Sequence, residues 1–119
     1  MQISTEITFH GVDHSDAAAA AVARWVVWLE HFHDRITKCS VTISQPHRRQ
    51  RLGRVFQVGV VLEVPGREIA LTHFVHSDVY VAIGDAFRAA RRELREQLDL
   101  RRRFVKSHAL ERAGRSMGG

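Results

Sequence analysis

Phe56-Gln57-Val58-Gly59-Val60-Val61-Leu62-Glu63-Val64, followed by Pro65-Gly66-Arg67, is the stretch on which the fold turns. Phe56, Val58, Val60, Leu62 and Val64 recur at period two, the mark of a strand with one buried face, and predict a strand over about Arg54 to Val64. In Val64-Pro65-Gly66-Arg67 the proline fixes the first central residue and the glycine accepts positive φ at the second, so the chain reverses. A partner strand is then expected over about Glu68 to Val75. Upstream, Cys39, Val41 and Ile43 alternate with Lys38, Ser40 and Thr42, which predicts a strand from about Ile36 to Ser44, ended by Pro46. Ile3, Ile7 and Phe9 alternate in the same way with Ser4, Glu6 and Thr8, and place a first strand over 2–9.

Two stretches change period. After Gly11 and Asp13-His14-Ser15-Asp16, which offers an N-cap at Asp13 or Ser15, Ala18, Val22, Val26 and Leu29 share one face of a helix expected to reach about His33. Trp25, Trp28 and Phe32 widen that face on one side. Ser77 and Asp78 read as the N-cap and first-turn acid of a second helix, whose stripe of Val79, Ile83, Ala86, Phe87, Ala90, Leu94 and Leu98 predicts an end near Arg103. The order β-α-β-β-β-α implies an α+β domain: a four-stranded, mainly antiparallel sheet with both helices packed on one face. That domain is expected over 1–104, with 105–119, which contains Gly114, Gly118 and Gly119, as a flexible C-terminal tail.

The 119 residues suffice for one compact domain and exclude a two-domain enzyme with a cleft between its halves. No apolar run approaches the roughly 20 residues of a membrane span. The start of the chain lacks the features of a secretory signal, and a lone Cys39 forms no internal disulfide, so a cytoplasmic protein without membrane partners is expected. His31 with His33, and His73 with His76, fail the spacing of metal ligands, and no phosphate loop, nucleophile triad or carboxylate pair is legible. The expectation is therefore no cofactor, no metal, no small-molecule substrate and no catalysis.

Charge carries the functional content. The formal net charge is +5, and all basic residues except Lys38 and Lys106 are arginine, whose planar fork suits phosphate oxygens and stacks on bases. Residues 48–54 hold four basic side chains and no acid, namely Arg48, Arg49, Arg51 and Arg54, while 88–119 hold ten basic and four acidic residues. At about 100° per residue, Arg88, Arg92, Arg95 and Arg102 fall on one face of the second helix with Arg91 beside them. This ridge lies roughly 140° from the apolar stripe, so its side chains are expected to project away from the domain. Phosphate contact is the favoured use; a helix face paired internally with Glu93, Glu96 and Asp99 is the structural alternative. Trp28, at the margin of its helix, suits rim packing, base stacking or a partner contact.

Leu29-Glu30, Asp34-Arg35-Ile36, and above all Asp78-Val79-Tyr80-Val81-Ala82-Ile83 followed by an arginine-rich helix carry a resemblance. Over about residues 2–104 the chain resembles the ribosome hibernation-promoting factor and ribosome-associated inhibitor A family, also called sigma-factor modulation proteins. The resemblance implies a double-stranded-RNA-binding-like fold. It also implies binding to 16S rRNA of the small ribosomal subunit where messenger and transfer RNA would lie, which holds ribosomes inactive under stress. Arg92 occupies a position commonly basic in the family, whereas Trp25 and Trp28 stand where relatives often carry lysine. The rival expectation is a protein-interaction or self-association module acting through Trp28, and a third is a general RNA-binding module; a homo-oligomer is compatible with each.

Overall fold

The computed structural model describes residues 3–45 and 55–97 with their side chains, and the helical backbone of 98–116. The elements are β1 (Ser4–His10), α1 (Asp16–Glu30), β2 (Lys38–Ser44), β3 (Phe56–Val64), β4 (Arg67–His76) and α2 (Val79–Ser116). The sheet runs β1-β2-β3-β4. β1 is parallel to β2, so α1 is the crossover between them, and the other two pairings are antiparallel.

Alternation sorts the sheet into two faces. Cys39, Val41, Ile43, Val58, Val60, Leu62 and Ile69 are buried on one face, and both helices cover it. α1 contributes Ala18, Val22, Val26 and Leu29, and α2 contributes Ala82, Ile83, Ala86, Phe87, Ala90 and Leu94. The motif residues quoted above serve this packing. Leu29 is fully buried, and Glu30 Oε1 accepts from the backbone N–H of Ile3 at 3.2 Å, tying the end of α1 to the entry of β1. Burial pushes the Cys39 thiol up to about 12, as expected of a small core residue surrounded by hydrocarbon.

Of the two candidate caps for α1, Ser15 is the one used: its Oγ accepts from Ala18 N–H at 3.1 Å, with Asp16 in the first turn. Ser15→Ala is expected to lower stability by about 1 kcal/mol, read as a lower denaturant midpoint at unchanged slope. α1 ends at Glu30, short of the expected His33, because the chain must turn to return Ile36 to the core. At α2 the cap is Asp78 where Ser77 was expected. Asp78 Oδ1 accepts from Tyr80 N–H at 2.9 Å, and its carbonyl accepts the first helical bond from Ala82.

Two further features depart from the sequence reading. The register passes from Val60 opposite Leu71 to Val58 opposite Phe74, so Thr72 and His73 together face Gly59 in a β-bulge. His73 takes φ 70°, and Gln57 Nε2 donates to its Nδ1 at 3.2 Å. The extra residue shifts the alternation, returning Phe74 to the core side and leaving Val75 exposed. α2 also continues past the expected end near Arg103 to Ser116, so residues 105–116 of the expected tail are helical. Within that segment Lys106 and the run Ala109-Leu110-Glu111-Arg112-Ala113 are strong helix formers and no glycine comes before Gly114, so propensity sustains the helix after the apolar stripe has ended.

Candidate nucleic-acid interface

Trp25, Trp28 and Phe32 follow one another at spacings of three and four along α1 and its final turn, which brings their rings to one side. Trp25 meets Trp28 edge-on at 5.0 Å, and Trp28 meets Phe32 in the same manner at 5.0 Å. Trp25 also stacks on Phe87 of α2, with centroids 6.0 Å apart and planes 18° from parallel. The aromatic row thus fills the seam between the two helices. Trp25 and Trp28 are half-buried and packed against the core, so Trp28 is at the rim of the fold.

Gly84 makes this seam close. A Cβ placed there would stand 3.1 Å from Trp25 Cζ2 and 3.2 Å from an Arg88 guanidinium nitrogen. A glycine inside a helix costs about 1 kcal/mol relative to alanine, and here it admits an indole edge. Gly84→Ala sets that gain in propensity against overpacking of an indole already fixed by Phe87 and Trp28. A net loss of about 1 kcal/mol is expected, with a shift in tryptophan emission, both readable in one fluorescence-detected melt.

The arginine ridge sits along this seam. Arg88 Cζ lies 5.4 Å from the Trp25 ring centroid; Arg91 Cζ lies 5.7 Å from that of Trp28 and 3.8 Å from that of Phe32. The expectation that the whole ridge projects away from the domain is therefore corrected for Arg88 and Arg91. The angle from α2's own stripe took no account of α1's rings, which draw two guanidinium groups sideways by cation–π attraction. Arg92 and Arg95 are exposed, and neither is paired with a carboxylate among the described residues. Arg88 pairs with Asp85 at 3.1 Å, an exposed contact that holds it weakly. Glu93, considered above as an internal partner of the ridge, instead accepts from Gln97 at 3.0 Å.

Together Trp28, Phe74, Asp85, Arg88, Arg91, Arg92 and Arg95 line an open groove of about 560 Å³. Four cations face one acid there. Their field reaches His33, whose pKa is lowered by burial first and then by Arg91 and Arg95, against an opposing pull from Asp34. Such a surface can hold phosphate oxygens by charge and flat rings by stacking. Arg102 lies on α2, its side chain outside the described residues, as are Arg48, Arg49, Arg51 and Arg54 altogether. Gly84 and Phe74 are the members that sequence reasoning missed, while Phe32 enters it only as widening the apolar face of the first helix; a glycine interrupting a helical pattern was the one signal available for Gly84.

Among the described residues no three His, Cys, Asp or Glu side chains gather as metal ligands, and no helix is long and apolar enough to cross a membrane. A family model described as sigma 54 modulation protein / S30EA ribosomal protein matches residues 5–102. Among solved structures the fold is similar to the N-terminal domain of Protein Y from Thermus thermophilus, with TM-score 0.65 and 18% identity over 81% of this chain and 98% of that one. It is likewise similar to a ribosomal subunit interface protein from Coxiella burnetii, with TM-score 0.62 and 17% identity over 82% of this chain and 99% of that one. No curated protein sequence matches significantly.

Proposed function

The chain belongs to the sigma 54 modulation protein / S30EA ribosomal protein family of ribosome-associated proteins, and from that membership we propose that it silences translation by occupying the small ribosomal subunit. It binds 16S rRNA in the channel that messenger and transfer RNA would use, and its presence excludes them. The mechanism is occupancy, without catalysis, in the cytoplasm of stressed cells. Arg88, Arg91, Arg92 and Arg95 contact rRNA phosphates, joined by Arg102 and by Arg48, Arg49, Arg51 and Arg54.

The observation that carries this reading is the ridge itself, where Arg92 and Arg95 stand exposed, without acidic partners among the described residues, on a helix anchored by six buried side chains. Cations carried at fixed spacing on an anchored helix release counterions from a phosphate backbone. Self-association through Trp28 has less in its favour, since that indole already packs against Trp25 and Phe32. Co-sedimentation with 30S, 50S and 70S particles across a salt series tests the proposal. Binding to 30S and 70S that weakens steeply with salt and is blocked by prior loading of messenger and transfer RNA is expected. Failure to sediment with 30S particles at low salt would end it.

A further inference from the structure

Phosphate binding alone explains neither the aromatic row beside the ridge nor the placement of Arg91. Its guanidinium carbon lies over the Phe32 ring, 3.8 Å from the centroid and in direct contact with the face, with Trp28 flanking it at 5.7 Å. Phe32 lies outside the buried core and is 43% exposed, so its edge contact with Trp28 leaves much of the ring accessible. Arg91 is half-buried yet lines the groove, and Arg92 and Arg95 stand farther out on the same lining.

We propose that the Phe32–Arg91 stack is a platform for one unpaired RNA base, so that the groove takes a single-stranded nucleotide with its phosphates on Arg92 and Arg95. The proposal rests on the RNA-binding reading above and narrows it to a class of RNA. A guanidinium plane fixed from one side by a benzene ring offers its other side to a base, and bases stack on arginine planes as they do on aromatic rings. In a duplex the faces of the bases are already covered by their neighbours, and only the phosphates could meet this surface. The groove, at about 560 Å³, is open along one side, which suits a strand passing through it with one base turned inward. Its charge complements the ligand, with Asp85 as the one acid facing four arginines.

The test compares the intact protein with Arg91→Lys and Phe32→Leu, each checked for folding by circular dichroism. The probes are fluorescein-labelled RNAs of about twenty nucleotides, one an unstructured single strand and the other a hairpin of equal length closed by a compact, internally stacked tetraloop, read by anisotropy across a salt series. Arg91→Lys keeps the charge and removes the plane. The wild-type protein is expected to prefer the strand about tenfold, and both variants to lose about tenfold in strand affinity with hairpin affinity and salt slope unchanged. Tryptophan emission should be quenched by the strand and left alone by inorganic polyphosphate. Equal wild-type affinity for strand and hairpin, or variants that bind the strand like wild type, would overturn the proposal. Either result would leave ribosome binding standing, since that is decided by co-sedimentation, and loss of 30S binding would leave the strand preference measurable.

Discussion

Changing Arg88, Arg92 and Arg95 together to glutamine is expected to weaken ribosome binding about a hundredfold near physiological salt and to flatten the dependence of log affinity on log salt by about 2 to 3. The size follows from counterion release. Each phosphate neutralised frees close to one condensed cation, and at about 0.15 M salt three such contacts are worth about two powers of ten. The cost to the fold should be small, because all three side chains are exposed and the one ion pair broken, Arg88 with Asp85, is itself exposed. Melting temperature should therefore hold while affinity falls. Sedimentation with 30S particles at three salt concentrations, beside a thermal melt, separates the two effects. An unchanged slope would remove the ridge from the interface.

Phe87→Ala acts in the opposite sense, on the fold first. Phe87 is fully buried, and its ring backs Trp25 at the seam, so its loss opens a cavity beneath the aromatic row. Truncations of this kind cost about 3–5 kcal/mol, a large share of the roughly 5–15 kcal/mol that holds a domain folded. Cys39 supplies the readout. Its buried thiol, with pKa raised to about 12, meets an alkylating reagent only when the chain opens, so labelling near neutral pH should accelerate by a factor of about a thousand. Tryptophan emission should also shift to the red as Trp25 gains water. A melting temperature equal to that of the wild type would mean that neighbouring side chains collapse into the space.

The regular parts of this architecture were readable because a single physical quantity determines them. In β2 and β3 one face is buried, so Val41 and Ile43, or Val58, Val60 and Leu62, must recur at period two. In α2 the same demand spaces Ile83, Phe87, Ala90 and Leu94. The parallel pairing of β1 with β2 left no such trace, since alternation does not encode strand direction. The bulge at Thr72 and His73 carries no glycine of its own, and Gly59 on the facing strand was its one trace in the sequence.

The candidate site was legible only in its charges. Arg88, Arg91, Arg92 and Arg95 could be grouped from helix geometry, but where Arg88 and Arg91 rest depends on rings carried by another helix. Gly84 likewise has meaning only once Trp25 is beside it. Tertiary contacts between α1 and α2 decided what a periodicity along either helix could not.

The bulge at His73 bears on how this domain behaves among copies of itself. β4 closes one side of the sheet, and its outer row of backbone donors and acceptors faces solvent. A straight ten-residue margin rich in Ile, Leu, Phe and Val would be a template for a neighbouring chain and a start for fibrous aggregates. The bulge with its positive φ at His73 divides that margin into Arg67–Leu71 and Phe74–His76, and an extra residue of this kind bends and twists its strand. Neither piece exceeds an ordinary strand in length, and an incoming strand in register with one is out of register with the other. Backbone strain at one histidine thereby favours colloidal solubility, which matters for a protein whose proposed task requires free copies to reach the ribosome.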